Sequence, residues 1–213
     1  MPFNPGDVLE GKWRIEKKLG QGGMGSVFLA TDIALNRKVA IKALASELCG
    51  DEEFATRFER EARLTAHLDH PNVVHVYGVG RHRGRPFIVM KHLEGETLAD
   101  RLNRRVRATL RGLDYEETLA IADQLCAGLS YIHSKGFVHR DIKTGNIIVG
   151  PDGRATILDF GILRDPRQAE GLTRAGVMMG TPHYMSPEQA LGRQIDHRAD
   201  LYATGCLVYE CLV

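Results

Sequence analysis

Apolar and polar residues alternate along the first part of the chain, in short runs separated by turns. The runs WRIEKKL, SVFLATD and KVAIKAL lie between residues 12 and 45, and NVVHVYGVG and RPFIVMKHL follow after residue 71. Alternation of period two is typical of β-strands with one buried face. Residues 51–68, between the two groups, have an acidic first turn and apolar residues at helical spacing, which predicts one helix.

The pattern becomes helical after Gly95. Residues 115–134 predict a long amphipathic helix, and residues 186–213 predict further helical structure. Strands first and helices later indicate an α+β fold, with a small β-rich part that bears one helix and a mostly helical second part. We expect an N-terminal extension at 1–12, a first lobe at 13–90, a hinge at 91–96 and a second lobe at 97–213. The apolar pattern that starts near Asp200 runs to the last residue without a cap, so we expect the second lobe to be truncated within that helix.

Composition and charge change this picture little. The 213 residues are 43% hydrophobic and 26% charged, with a net charge of +1, which gives no basic field for nucleic acid or a membrane surface. The basic run at 101–111 contains no aromatic residue, so a solvated helix and loop is favoured over a nucleic-acid surface. No apolar run is long enough for a membrane span, and the four cysteines lack metal-ligand spacing. We therefore expect a soluble, cytoplasmic chain with reduced thiols.

Gly20, Gly22 and Gly25 have the spacing G-x-G-x-x-G, which brings bare backbone close to phosphate in two unrelated architectures. One is the turn of a dinucleotide-binding fold, in which a helix directly follows the glycines. The residues that follow here, SVFLA, include β-branched and aromatic side chains, which favour a strand. We therefore expect a hairpin that covers the phosphates of a nucleotide, and we reject the dinucleotide-binding alternative.

Five motifs stand in a fixed order along the chain: GQGGMGSV, VAIK, HRDIKTGN, DFG and SPE. In this order they resemble the signature of a protein kinase, and the chain is similar to the bacterial Ser/Thr kinases over nearly its whole length. The resemblance implies the bilobal protein-kinase fold. It also implies transfer of the γ-phosphoryl group of ATP to serine and threonine hydroxyls of proteins, with Mg²⁺ as cofactor.

The resemblance places the nucleotide in the first lobe and the hinge. Lys42 would hold the α- and β-phosphates and pair with Glu61, while Glu59 is the competing partner two positions away. Lys91 and Leu93 would bind adenine through backbone groups. Further members of the nucleotide site would be the apolar adenine walls Leu19, Val27, Ala40, Met90 and Ile148, and Glu94 as a candidate ribose contact.

The resemblance places the chemistry in the string HRDIKTGN. Asp141 would accept or orient the proton of the substrate hydroxyl, and Lys143 would neutralise the transferring group. Asn146 and Asp159 would bind the metal ion, whereas His139 is expected to be a packed structural histidine. Most family members have a proline where this chain has Thr144, and we expect this departure to loosen the loop without removing a reacting group. Asp200 is expected to anchor the catalytic loop.

Regulation is expected in the segment from Asp159 to Glu188. In kinases with an arginine at the position of Arg140, a phosphate on this segment typically pairs with that arginine. Thr173 is the best acceptor by position, and Thr181 would contact the catalytic aspartate and lysine. A kinase–kinase dimer for phosphorylation in trans is a partner that this pattern allows.

Two other functions remain open from the sequence. One is a pseudokinase or truncated regulator that binds nucleotide without transferring phosphate, although Lys42, Asp141, Asn146 and Asp159 are all present. The other is a kinase of small molecules, against which the peptide-docking string GTPHYMSPE counts.

Overall fold

A computed structural model describes residues 3–23, 25–108, 112–158 and 182–213, except the side chains of Glu53, Glu61 and Leu64. The chain divides into two compact units. The first unit comprises Met1–Asp69 and His75–Leu93, and the second comprises His70–Val74 and Glu94–Val213. Strands dominate the first unit and helices the second, which confirms the predicted α+β class.

The first unit is built on a six-stranded antiparallel sheet with the order β1-β2-β3-β4-β6-β5. Its strands are β1 (Val8–Leu9), β2 (Trp13–Gly22), β3 (Gly25–Asp32), β4 (Arg37–Leu44), β5 (Val76–His82) and β6 (Arg85–Lys91). Helix α1 (Glu52–Thr65) connects β4 to β5. The strands and the helix predicted from alternation and helical spacing are therefore all present.

The core of the first unit lies on one face of this sheet. Alternate residues of β3 and β4, among them Phe28 and Ile41, are buried there with Phe87 of β6, as the period of two requires. Phe3 and Leu9 pack into the same cluster, with Phe3 only 5% exposed. The first twelve residues, expected as an extension, thus contribute core side chains to the unit. A two-residue strand and an isolated phenylalanine leave no periodic signal that could have shown this.

The second unit combines a small three-stranded sheet with four helices among the described residues. The strands are β7 (Glu96–Thr97), β8 (Ile147–Val149) and β9 (Ala155–Ile157), in that order. The helices are α2 (Leu98–Arg107), α3 (Tyr115–Ser134), α4 (Pro187–Ala190) and α5 (Arg198–Leu212).

Helix α3 has the bounds that its amphipathic pattern predicts. It buries Ile121, Leu125, Leu129 and Ile132 and packs against β9 and α5. The main-chain N–H of Leu113, just before α3, donates to the carbonyl oxygen of Cys211 near the end of α5 at 2.5 Å. Within the described ranges, no helix is both long enough and apolar enough to cross a lipid bilayer.

Candidate functional site

Two predicted catalytic residues and one predicted metal ligand meet in the second unit. The Asp141 carboxylate accepts a hydrogen bond from the Asn146 side-chain amide at 3.0 Å. It also forms an ion pair with the Lys143 ammonium at 3.1 Å, and both contacts are made by Oδ2. The same amide nitrogen donates to the Asp141 carbonyl oxygen at 2.8 Å. Asn146 is only 8% exposed, so its side chain is held in one orientation. The amide oxygen is thereby left as the atom that can bind a hard cation.

The local backbone explains why these side chains converge. Thr144–Asn146 forms one turn of 3-10 helix, in which the Asn146 N–H donates to the Lys143 carbonyl at 2.9 Å. The Asn146 carbonyl in turn accepts the N–H of Leu158 at 2.8 Å. This bond ties the turn to the residue that directly precedes Asp159, which itself lies outside the described residues.

A buried carboxylate on α5 anchors the start of this loop. Asp200 is 1% exposed and accepts the backbone N–H groups of His139 at 2.8 Å and Arg140 at 2.7 Å. The His133 ring nitrogen Nε2 contacts the same carboxylate at 2.8 Å. Both carboxylate oxygens are therefore satisfied, as a buried charge requires. The prediction that Asp200 anchors the catalytic loop is confirmed.

The anchor also holds a strained residue. Arg140 has φ +67°, which is rare for a residue with a side chain and costs about 1–3 kcal/mol. The bond to Asp200 fixes its N–H, and the Gln189 side-chain amide donates to its carbonyl at 3.2 Å. The Arg140 Nε atom is buried and meets no acceptor in the part of the chain that is described. The contacts to Asp200 and Gln189 therefore hold the strained backbone of Arg140 in place.

His139 has the structural position predicted for it. It is fully buried, its Nδ1 atom accepts the Asp141 N–H at 3.3 Å, and its Nε2 atom lies 2.7 Å from the Leu158 carbonyl oxygen. Because a carbonyl oxygen only accepts, Nε2 must carry the proton. The ring therefore bridges the loop to the end of β9 as a neutral imidazole.

Thr144 corrects an expectation from the sequence. It is 4% exposed and its hydroxyl lies 3.0 Å from the Tyr184 hydroxyl, which also contacts the Glu210 carboxylate. Burial and the Glu210 carboxylate together raise the pKa of Tyr184 to about 12. Thr144 therefore secures the loop by a bond across the unit, where we had expected it to loosen the loop.

In the first unit, four predicted nucleotide residues share one face of the sheet. Val27 pairs with Lys42, and Ala40 pairs with Met90. Paired residues on antiparallel strands point to the same side, as do residues two apart on one strand. The face that carries Val27, Ala40, Lys42 and Met90 is thus opposite the buried core face. Leu19, at a register shift of β2, is 46% exposed.

The three glycines of the hairpin have different structural roles. Gly25 has φ +151°, and a Cβ atom there would lie 2.0 Å from the Ala43 carbonyl oxygen, so the fold itself requires glycine. A Cβ atom on Gly20 or Gly22 would meet no described atom within 4 Å. Packing among the described residues therefore gives no reason for those two glycines, whereas close approach of a phosphate does. The hairpin itself confirms the strand predicted after the glycines.

Helix α1 distinguishes between the two glutamates proposed to pair with Lys42. The Glu59 carboxylate bonds to Arg63 at 3.1 Å and to Arg81 of β5. It is therefore already committed to two guanidinium groups. Glu61 lies on the same helix, about 200° further round the axis, and its side chain is not among those described.

The remaining predicted residues are placed as follows. The Lys91 N–H donates to the His75 carbonyl at 2.9 Å, so that N–H is already committed within the unit. Leu93 is half-buried at the end of the first unit. Glu94 is exposed and Ile148 of β8 is half-buried, both in the second unit. Thr173 and Thr181, like Asp159, lie outside the described residues.

The basic run is partly neutralised within its own unit. Arg101 pairs with Glu96 at 3.2 Å and with Glu117 at 2.5 Å, and Arg104 pairs with Glu96 at 2.5 Å. The Arg104 guanidinium lowers the pKa of Glu96, and Arg101 lowers it further by a smaller amount. These arginines therefore stabilise the junction of β7, α2 and α3.

Sequence reasoning missed four residues that hold the catalytic loop: His133, Tyr184, Gln189 and Glu210. Of these, His133 alone carried a signal, because it is a polar residue in the last turn of an amphipathic helix. The bonds by which the others hold the loop span 26 to 49 residues in sequence, so no local pattern could have indicated those bonds. Gln189 also forms a capping box with Ser186, but that local pattern indicates only the start of a helix.

A glycine hairpin with a lysine on the next strand, and an Asp-Lys-Asn cluster on a buried anchor, together define a phosphotransferase scaffold of the kinase class. The chain belongs to the protein kinase domain family, whose model matches residues 13–213.

Named relatives and solved structures agree with this family. The chain is 42% identical over 210 residues to the serine/threonine-protein kinase pkn2 of Myxococcus xanthus, covering 96% of this chain and 25% of the relative. It is 40% identical over 212 residues to the serine/threonine-protein kinase PknA of Mycobacterium tuberculosis, covering 97% and 48%. The chain thus spans about a quarter to a half of the length of these relatives.

The crystal structure of the M. tuberculosis PknI kinase domain matches with TM-score 0.80 and 27% identity, covering 99% of this chain and 76% of that one. The predicted protein-kinase fold is confirmed.

Proposed function

We propose that this chain is the catalytic domain of a serine/threonine protein kinase, which transfers the γ-phosphoryl group of ATP to serine and threonine hydroxyls of proteins. The observation that carries the proposal is the Asp141–Lys143–Asn146 cluster on a backbone fixed by Asp200. Phosphoryl transfer depends mainly on positioning and charge neutralisation, and a buried anchor supplies such positioning. Relatives named as Ser/Thr kinases support the acceptor class.

The reaction assigns one role to each member of the cluster. The oxygen of the acceptor hydroxyl forms a bond to the γ-phosphorus, while the bond from that phosphorus to the β,γ-bridging oxygen breaks and ADP leaves. Asp141 orients the hydroxyl and accepts its proton. Lys143, paired to the same carboxylate at 3.1 Å, neutralises charge on the transferring group.

The nucleotide contacts that we propose are those expected from the sequence. Lys42 holds the α- and β-phosphates, with Glu61 as its partner since Glu59 is bound to Arg63 and Arg81. The hairpin glycines cover the phosphates, and the adenine and ribose contacts are provided by Leu19, Val27, Ala40, Met90, Lys91, Leu93, Glu94 and Ile148.

The donor set also fits Mg²⁺. The Asn146 amide oxygen and the Asp159 carboxylate are the oxygen ligands that this ion prefers, and the Asn146 amide nitrogen is already committed to Asp141. When bound, the ion neutralises charge on the phosphate oxygens.

We further propose regulation by phosphorylation of the segment around Thr173, with Arg140 as the cation that receives the phosphate. The buried Arg140 Nε atom without an acceptor in the described region supports this role. Thr181 would contact Asp141 and Lys143. A cytoplasmic site of action and transient kinase–kinase pairing for phosphorylation in trans are part of the same proposal.

The test is the intact mass of the purified chain after incubation with ATP and Mg²⁺, followed by peptide mapping. We expect phosphoryl groups on serine or threonine in the wild type and none in Asp141→Asn. Asp152→Asn, an exposed aspartate in the turn after β8, is the matched control and should behave like the wild type. Equal incorporation in Asp141→Asn would remove Asp141 from its role.

A further inference from the structure

Three side chains of the second unit form a directed chain of hydrogen bonds. Thr144 contacts the Tyr184 hydroxyl at 3.0 Å, and Tyr184 contacts the Glu210 carboxylate on α5. An ionised carboxylate can only accept and a phenol has a single proton, so Tyr184 donates to Glu210. The Thr144 hydroxyl must then donate to the Tyr184 oxygen. The order of donation is therefore fixed by chemistry.

Thr144 acts on Tyr184 through its hydroxyl. Burial and Glu210 raise the pKa of Tyr184, whereas hydrogen bonding from Thr144 opposes that rise. A group that favours negative charge on the phenol oxygen is a donor to it, which agrees with the order of donation given above. Proline, the residue that related catalytic loops mostly carry here, has no hydroxyl and cannot make this bond.

The bond joins two segments that the proposed reaction needs side by side. Thr144 directly follows Lys143 and begins the turn that ends at Asn146. Tyr184 lies in the segment 182–190, whose Gln189 also bonds to the Arg140 carbonyl at 3.2 Å. The segment is thus attached to the catalytic loop on both sides of Asp141. Arg140, Asp141, Tyr184, Met185 and Gln189 line one cavity between them.

We propose that Thr144 is a positioning residue, which fixes the substrate-docking segment 182–190 against the catalytic loop through Tyr184. This inference rests on the proposed function, since docking of a protein substrate is what the segment serves. Thr144 sets the geometry at which the acceptor hydroxyl meets Asp141, and it takes no part in nucleotide binding. Its removal therefore changes the KM for the protein acceptor and leaves the KM for ATP unchanged.

The kinetic test compares Thr144→Val, which removes the hydroxyl at nearly equal volume, with Thr144→Ser, which keeps it. We expect Thr144→Val to raise the KM for a serine peptide by about tenfold, the scale of one lost hydrogen bond, with the KM for ATP as in the wild type. Thr144→Ser should restore the peptide KM. A peptide KM in Thr144→Val equal to that of the wild type, or an equal rise in both KM values, would overturn the proposal.

A second measurement uses stability and so does not depend on activity. Thr144→Val should lower the Tm of the wild type, because a paired hydroxyl is lost. In a Tyr184→Phe background the Thr144 hydroxyl is buried without its acceptor, so Thr144→Val should raise the Tm there. The same decrease in both backgrounds would refute the contact. If the wild type phosphorylates no peptide, the proposed function fails, and this thermal cycle still decides whether the bond exists.

Discussion

Replacing Asp200 by asparagine changes one atom of a buried carboxylate, and the structure gives the expected consequence. Oδ1 accepts the Arg140 N–H at 2.7 Å, while Oδ2 accepts the His139 N–H and contacts His133. An asparagine keeps only one acceptor oxygen. If that oxygen serves His139 and His133, the new amide group opposes the Arg140 N–H, donor against donor.

The magnitude follows from two contributions. A hydrogen bond to a charged acceptor contributes about 1.5–3 kcal/mol, and a buried N–H without a partner costs about 1–3 kcal/mol. Asp200→Asn should therefore lower the free energy of unfolding by roughly 3–5 kcal/mol. Since a domain's whole margin is about 5–15 kcal/mol, the loss is large enough to measure easily.

The assay is urea unfolding at neutral pH, followed by far-ultraviolet circular dichroism. Asp196→Asn is the matched control, because Asp196 lies four residues earlier and its carboxylate pairs with Arg198 at the surface. We expect a clearly lower urea midpoint for Asp200→Asn and almost no change for Asp196→Asn. Equal midpoints for the two variants would refute the argument that Asp200 anchors the loop.

Three further predictions concern other parts of the molecule. Gly25→Ala should lower the Tm because its Cβ would strike a backbone carbonyl, whereas Gly22→Ala should keep the Tm and raise the KM for ATP; the reverse order would contradict the roles assigned to the hairpin. The pKa of Glu96 is lowered in the fold by its arginine partners, so its contribution to stability is present above its unfolded pKa and is lost as pH falls through the folded value. Glu96→Gln should therefore flatten the acid side of a plot of Tm against pH, and an unchanged slope would count against the pair. Burial raises the pKa of the Cys211 thiol to about 12, so iodoacetamide at pH 8 should label the exposed Cys126 well before Cys211, which peptide mapping would show.

Regular patterns in the sequence predicted the regular parts of the fold. The alternation in β2, β3 and β4 and the long apolar stripe of α3 each extend over many residues. A single residue that departs from the pattern therefore does not hide the period. Strands β7, β8 and β9 have two or three residues each. Such short strands form because neighbouring segments provide their hydrogen-bond partners, and no period is visible within them.

The candidate site was predictable where its residues are close in sequence. Asp141, Lys143 and Asn146 lie within one short motif, and the structure brings them into contact. The connection between Thr144 and Glu210 was not predictable, because it runs through Tyr184 across the second unit. The hydrogen-bonding capacity of each of these residues is evident from its type, but its partner is decided by tertiary packing alone.

The most direct test of the central claim is the rate of phosphoryl transfer from ATP to a peptide that contains serine, measured for the wild type and Asp141→Asn together with ATP affinity. We predict transfer by the wild type, a decrease in kcat of at least about 100-fold in Asp141→Asn, as expected for loss of a positioned base, and unchanged affinity for ATP. Transfer by Asp141→Asn at the wild-type rate, or a wild type that binds ATP and transfers nothing, would contradict the account.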